Sequence, residues 1–240
     1  MNMNNSEISN LLKTQLGLQQ APVALRFYDD PPIDIPRLDT EVISACAIWR
    51  KAEHSLFYAT ASDHFRCTLG SMVMGFDLPD EQAEELQSEA GLMCEISYVR
   101  EEEIEHIPTV SKKSKGIIYG PLSAFNSEPD VVIIWANPKQ VMLIGEGCGL
   151  INWSAQPAGL TGRPGCAAIP NVLRTGSPAQ SLGCIGMRTN TKVSDDLILM
   201  VLPGHDLDNL SVSISNTIET NMSMESHYIG KQTTITSVNL

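Results

Sequence analysis

Five of the six cysteines in the chain, Cys46, Cys67, Cys148, Cys166 and Cys184, sit beside small residues or glycines, as in GEGCGLINW, GRPGCAAIP and SLGCIGMR. A glycine next to a thiol leaves the neighbouring backbone open, so a ligand can come close to the sulfur. Cys94, in the apolar run GLMCEISYV, has instead the setting of a packing residue. No two cysteines form a CxxC pair, so neither a zinc knuckle nor a compact ferredoxin run is present. The pattern implies a sulfur-lined site assembled from remote turns. Plain burial of the thiols as small hydrophobes is the competing reading.

Other chemistry-bearing residues are few. His64 lies three residues before Cys67, where it could supply a ligand or depress the thiol pKa; the plainer reading is a lone surface histidine. Arg163, Arg174 and Arg188 flank the Cys166–Cys184 segment of an acidic chain. A guanidinium there could hold a carboxylate or phosphate, or stabilise thiolate charge, and surface ion pairing would explain it equally. His205, in PGHDLD, follows a strand end, where open α/β sheets place ligands, but Asp206 reads better as a helix cap. No GxGxxG, Walker A, GxSxG or HExxH sequence occurs, which disfavours dinucleotide, nucleoside triphosphate, serine-hydrolase and zincin chemistry.

A net charge of −12 and an aromatic content of 5% argue against nucleic-acid and anionic-membrane partners, which reward clustered Lys and Arg and stacking platforms. The expected partner is a small-molecule ligand or substrate, and a homo-oligomer is compatible with the composition. The first 17 residues lack a basic region followed by an apolar core, so no secretory leader is expected. No apolar run approaches the roughly 20 residues that span a bilayer. A cytoplasmic location is therefore expected, where thiols stay reduced and cysteines outside a core point to metal, cluster or redox chemistry.

The elements that must position the thiols follow from periodicity. SEISNLLKTQLG at 6–17 reads as a helix with a Ser cap, stopped by Gly17. PVALRFY at 22–28, SLFYATASD at 55–63, GIIYGPL at 116–122, DVVIIWA at 130–136 and DDLILMVLP at 195–203 read as strands, GIIYGPL and DVVIIWA as central ones. Residues 79–90 form an acidic helix opening on a proline, and 99–107 a second acidic helix ending before Pro108; both are expected to be solvated faces. Asn137 should cap a helix with Pro138 at its first position, and a further helix follows the strand at 195–203. Fold class is α/β, a mixed sheet with helices on its faces. The cysteine spacings hint at two similar lobes, about 20–115 and 116–215, within a single domain.

Taken in order, APVALRFYDDPP, SACAIWRKA, FYATASDHFRCTLG, IIYGPL, EPDVVIIWANPKQVM, GRPGCAAIP, SLGCIGMR and DDLILMVLPG resemble the DUF169 family over roughly residues 20–215. The resemblance singles out Cys46, Cys67, Cys166 and Cys184, with Asp63, Gly165, Gly183 and Arg188 around them, and carries no reaction. Four thiolates from four turns can hold a tetrahedral metal or an iron–sulfur cluster. The leading expectation is a metal- or iron–sulfur-binding protein with these four ligands, acting on a small anionic substrate if it is an enzyme. Arg188 or Arg163 would then hold the substrate, and His64 would carry a proton or act as an auxiliary ligand. The alternatives are a pocket for a small organic ligand or tetrapyrrole such as haem, and a thiol-redox protein.

Overall fold

The computed structural model describes residues 3–150, 160–161 and 163–234; residues 151–153 of the GEGCGLINW segment and Gly162 lie outside them. Its elements run α1 (Asn5–Leu16), β1 (Val23–Tyr28), α2 (Ala45–Ala52), β2 (Phe57–Thr60), α3 (Thr68–Val73), α4 (Asp80–Glu95), α5 (Glu101–Ile104), β3 (Gly116–Pro121), β4 (Val131–Ala136), α6 (Pro138–Gly147), β5 (Leu160–Thr161), α7 (Ala168–Thr175), β6 (Ala179–Ser181), α8 (Ile185–Thr191), β7 (Ile198–Pro203) and α9 (Leu207–Thr234). The strands form one sheet in the order β2-β3-β1-β4-β7-β6-β5. Neighbours are antiparallel except β5 and β6, which are parallel. This is the expected α/β fold with a mixed sheet. Strand β3, which opens the second expected lobe (116–215), lies between β1 and β2 of the first (20–115).

The fully apolar sequence of β4, VVIIWA, is buried at all six positions because β4 is central and both faces of the sheet are covered. Side chains alternate across a strand, so Val131, Ile133 and Trp135 join one core and Val132, Ile134 and Ala136 the other. On the second face lie α1, α6 and α9, contributing Leu12, Ile144 and Ile214. The first face carries α2, α3, α7 and α8, contributing Trp49, Val73, Val172 and Met187. Trp49 meets Trp135 there, ring centroids 6.4 Å apart. Three layers result, with the helices that begin at Cys46, Cys67, Cys166 and Cys184 all on one side.

Local signals account for most boundaries. Asn137 caps α6 with Pro138 at its start, as expected: its Oδ1 accepts from the Gln140 N–H at 3.0 Å, and Gln140 Oε1 accepts from the Asn137 N–H at 2.8 Å. The Gln140 amide also donates to the carbonyls of Leu16 and Gly17, tying α6 to the end of α1. Helix α1 stops at Gly17, which is left-handed at φ 67°, but its cap is Asn4 and not Ser6, because Asn4 and Glu7 close a capping box two residues earlier. The second acidic helix is shorter than the expected 99–107. Only Glu101–Ile104 is helical; no residue of the turn is buried to hold it, and Pro108 disfavours helix at Ile107.

Replacing Asn137 with Ala removes the side-chain acceptor for the α6 N-terminus and should cost about 1 kcal/mol. Urea denaturation should show a lower midpoint with an unchanged slope. An unshifted midpoint would mean that the cap adds nothing.

Candidate functional site

Each of the four cysteines singled out by sequence lies at the beginning of a helix. Cys46 is the second residue of α2, whose cap is Ser44. Cys67 and Cys184 are the N-cap residues of α3 and α8. Cys166 sits in a 3₁₀ turn, Gly165–Ala167, that runs directly into α7. These helices cover the same face of the sheet, and their starts meet: all four cysteines line one cavity of about 310 Å³. No disulfide links them. Cys94 and Cys148 stand apart from it, on α4 and at the end of α6.

Two glycines beside the thiols, Gly165 and Gly183, make room for neighbouring protein. A Cβ on Gly183, which is left-handed at φ 81°, would fall 2.0 Å from Met187 Cε, and one on Gly165 would fall 2.8 Å from Met187 Sδ and 3.2 Å from Gly183 Cα. Met187 is thus keyed between the two glycines, locking the Cys166 turn against the Cys184 turn. At Gly70 a Cβ would come within 2.7 Å of Cys67 Sγ, so any other residue would displace the thiol.

Burial governs the electrostatics of the sulfurs. It pushes the Cys46 thiol up to about 11, against a hydrogen bond with Ser44 Oγ at 3.1 Å that pulls it down. Cys166 is pushed well above the usual thiol range by burial and then by the charges that Cys67, Cys46 and Cys184 would carry. Cys67 is also raised by burial, partly offset by the backbone N–H groups of Ala45 and Gly70. Cys184 Sγ accepts from the Met187 N–H at 3.3 Å. Burial therefore holds Cys46, Cys67 and Cys166 protonated while nothing compensates their charge. Among the described residues no three His, Cys, Asp or Glu side chains are placed to hold a metal ion.

The rest of the wall was only partly legible. Met72, Met93 and Met187 add thioethers, and Leu86, Ala90, Val99, Ile104 and Ile107 add apolar surface. The sequence did carry a signal for α4: Leu86 and Ala90 recur at helical spacing inside the acidic segment 79–90, and Met93 continues the stripe into the apolar run that follows. Arg163 is on the wall, its guanidinium 4.2 Å from the centre of the Tyr98 ring.

His64 and Arg188 are not on the wall. The chain reverses between the 3₁₀ turn Ala61–His64 and α3, so three residues of separation do not bring His64 beside Cys67 in the cavity. Its ring is buried, with Nδ1 2.8 Å from the Thr60 carbonyl and Nε2 2.9 Å from the Tyr119 hydroxyl. A carbonyl only accepts, so Nδ1 donates and Tyr119 donates to Nε2. Burial pushes the imidazole down to about 4. Arg188 donates to the carbonyls of Leu182 at 2.7 and 3.1 Å and of Leu197 at 3.1 Å, which fastens the Cys184 turn to the entry of β7. Asp63 is paired with Arg37 at 2.8 Å, and Arg174 with the Asn171 side chain at 2.7 Å. No described helix is long and apolar enough to cross a membrane.

The sign of the His64 effect is fixed by its folded value lying below the unfolded value near 6.5. Between pH 6.5 and about 4 the unfolded chain binds a proton that the native chain does not, so stability falls as pH falls, by about 1.4 kcal/mol per unit and about 3 kcal/mol in all. Urea unfolding of the wild type and His64→Gln at pH 7 and pH 4.5 should give a stability difference that shrinks at the lower pH. An equal difference at both would overturn the assignment.

The DUF169 family model, described as uncharacterised ArCR, matches residues 11–211. No curated protein and no solved structure matches the chain.

Proposed function

We propose that the chain, which belongs to the DUF169 family, binds an iron–sulfur cluster through Cys46, Cys67, Cys166 and Cys184. The observation that carries this reading is that four of its six cysteines, drawn from four distant turns, line one cavity. Burial as small hydrophobes would scatter thiols through the core, whereas ligation requires them to face a common space. The electrostatics point the same way. Four adjacent thiolates in an apolar cavity are unfavourable unless a multiply charged cationic centre faces them, and binding such a centre would release their protons. The positive ends of α2 and α7, the two eight-residue helices of the set, add a modest field of the right sign for thiolate.

A cluster suits the sulfurs better than a single ion. Tetrahedral zinc at about 2.3 Å from each sulfur needs thiolates roughly 3.8 Å apart, a closer approach than four separate helix starts have to make for a larger centre. A polynuclear centre spreads its ligands further apart. When bound, it would supply one-electron transfer or a Lewis-acidic iron. The chain's own residues hold and tune it: Ser44 Oγ and the Met187 N–H hydrogen-bond to sulfur, and such contacts set cluster potential. The thiol-redox alternative lacks the lowered pKa that a nucleophilic thiolate needs, since Cys46, Cys67 and Cys166 are all raised. Among the described residues no histidine lines the cavity, so a haem iron would take a cysteine or methionine from it.

Anaerobic incubation with ferrous iron and sulfide should load wild-type protein with iron and labile sulfide in equal amounts and give a broad visible absorbance. Single Cys→Ser changes at 46, 67, 166 and 184 should each lower retained iron roughly tenfold or more, while Cys94→Ser and Cys148→Ser leave it unchanged. Circular dichroism separates lost ligation from lost folding. Folded wild type that takes up no iron, or four variants that retain it fully, would overturn the reading.

A further inference from the structure

The sulfurs make up only part of the cavity wall. A second part comes from α4, α5 and the segment joining them: Leu86, Ala90, Met93, Val99, Ile104 and Ile107. Helix α4 is 16 residues long, yet none of its residues is buried, although Leu86, Ala90 and Met93 face inward. An apolar helix stripe normally buries itself against a partner; here it roofs an open space. Among the described residues only Glu89 and Arg163 are charged on the cavity lining. Glu89 accepts a hydrogen bond from Thr68 Oγ1 at 3.1 Å, next to Cys67. Arg163 lies over the Tyr98 ring, and its charge reaches Glu103, whose carboxyl is held below the usual range first by the Arg100 N–H and side chain and more weakly by Arg163.

We infer that the apolar part of this cavity binds a small monocarboxylate, its hydrocarbon body under α4 and α5 and its carboxylate on Arg163. Small-molecule sites share this composition, an apolar chamber of about 300 Å³ or more with few polar groups to fix orientation. A guanidinium recognises a carboxylate in bidentate fashion, and the Tyr98 face holds it from behind. A volume of about 310 Å³, roughly ten water molecules' worth, admits a molecule of hexanoate size beside the sulfurs. The inference takes the cluster reading as its frame and names what shares the cavity. Arg163 provides no sulfur, so the two fail separately.

Calorimetric titrations with hexanoate, hexanol and hexylammonium, on iron-loaded and on chelator-treated protein, test it. Hexanoate should bind about tenfold or more tighter than the other two. Arg163→Gln should erase that preference without changing iron content or hexanol affinity, and Arg163→Lys should keep part of it. Met93→Trp, which fills the chamber, should weaken all three. Equal binding of acid and alcohol, a preference that survives Arg163→Gln, tighter binding of hexylammonium, or ligands indifferent to Met93→Trp would each overturn the proposal. Iron uptake that fails while hexanoate still binds in this pattern would sink the cluster alone.

Discussion

The site depends on one packing contact, Met187 held between Gly165 and Gly183. The two turns that deliver Cys166 and Cys184 belong to different strand–helix units, and nothing in either unit alone fixes their distance. The thioether wedged where both residues lack a Cβ converts two independent turns into one wall. Arg188 completes the clamp from outside by binding the carbonyls of Leu182 and Leu197. Helix α2 packs against α8, which brings the Ser44–Cys46 start of the N-terminal half to the same place. Close packing transmits such constraints over several residues, because a core rearranges in discrete steps and does not deform smoothly.

Electrostatic cost and structural rigidity work together here. Burial raises the thiols of Cys46, Cys67 and Cys166, so the wall they form is uncharged and apolar, with Cys46 and Cys166 part of the core that contains Trp49 and Trp135. Uncompensated thiolates would carry a desolvation penalty. The same low polarity strengthens the attraction once a cationic centre faces them. His64 and Tyr119 form a separate buried polar pair beneath that face. Both hydrogen-bonding positions of the ring are filled, and its neutrality follows from the same desolvation that raises the thiols.

The sheet was legible wherever apolar runs were long. VVIIWA, with no polar residue to define an exposed face, announced a central strand and is one. Asn137-Pro138 marked the start of α6 because a cap and a helix-compatible proline act within four residues. Cys46, Cys67, Cys166 and Cys184 were legible as a set through family resemblance and the turns around them. Their meeting point was not, since it is made by tertiary contacts between helices far apart in sequence. His64 shows the limit most plainly. Spacing of three suggests adjacency to Cys67 only if the helix is continuous, and the chain turns in between. The glycine argument pointed to Gly165 and Gly183 without showing what fills the space there, which is the Met187 side chain.

The cavity's two walls differ in how firmly they are held. The sulfur wall belongs to helices buried against the sheet, with Ala45, Ile48 and Trp49 of α2 and Ala168, Ile169 and Val172 of α7 inaccessible. The roof belongs to α4 and α5, neither of which has a buried residue; Thr68–Glu89 and Arg163–Tyr98 are direct side-chain links from it to the remainder. Local opening costs little where few apolar contacts are lost. The acidic outer face of α4 keeps the helix solvated, while its inner stripe of Leu86, Ala90 and Met93 lines the cavity.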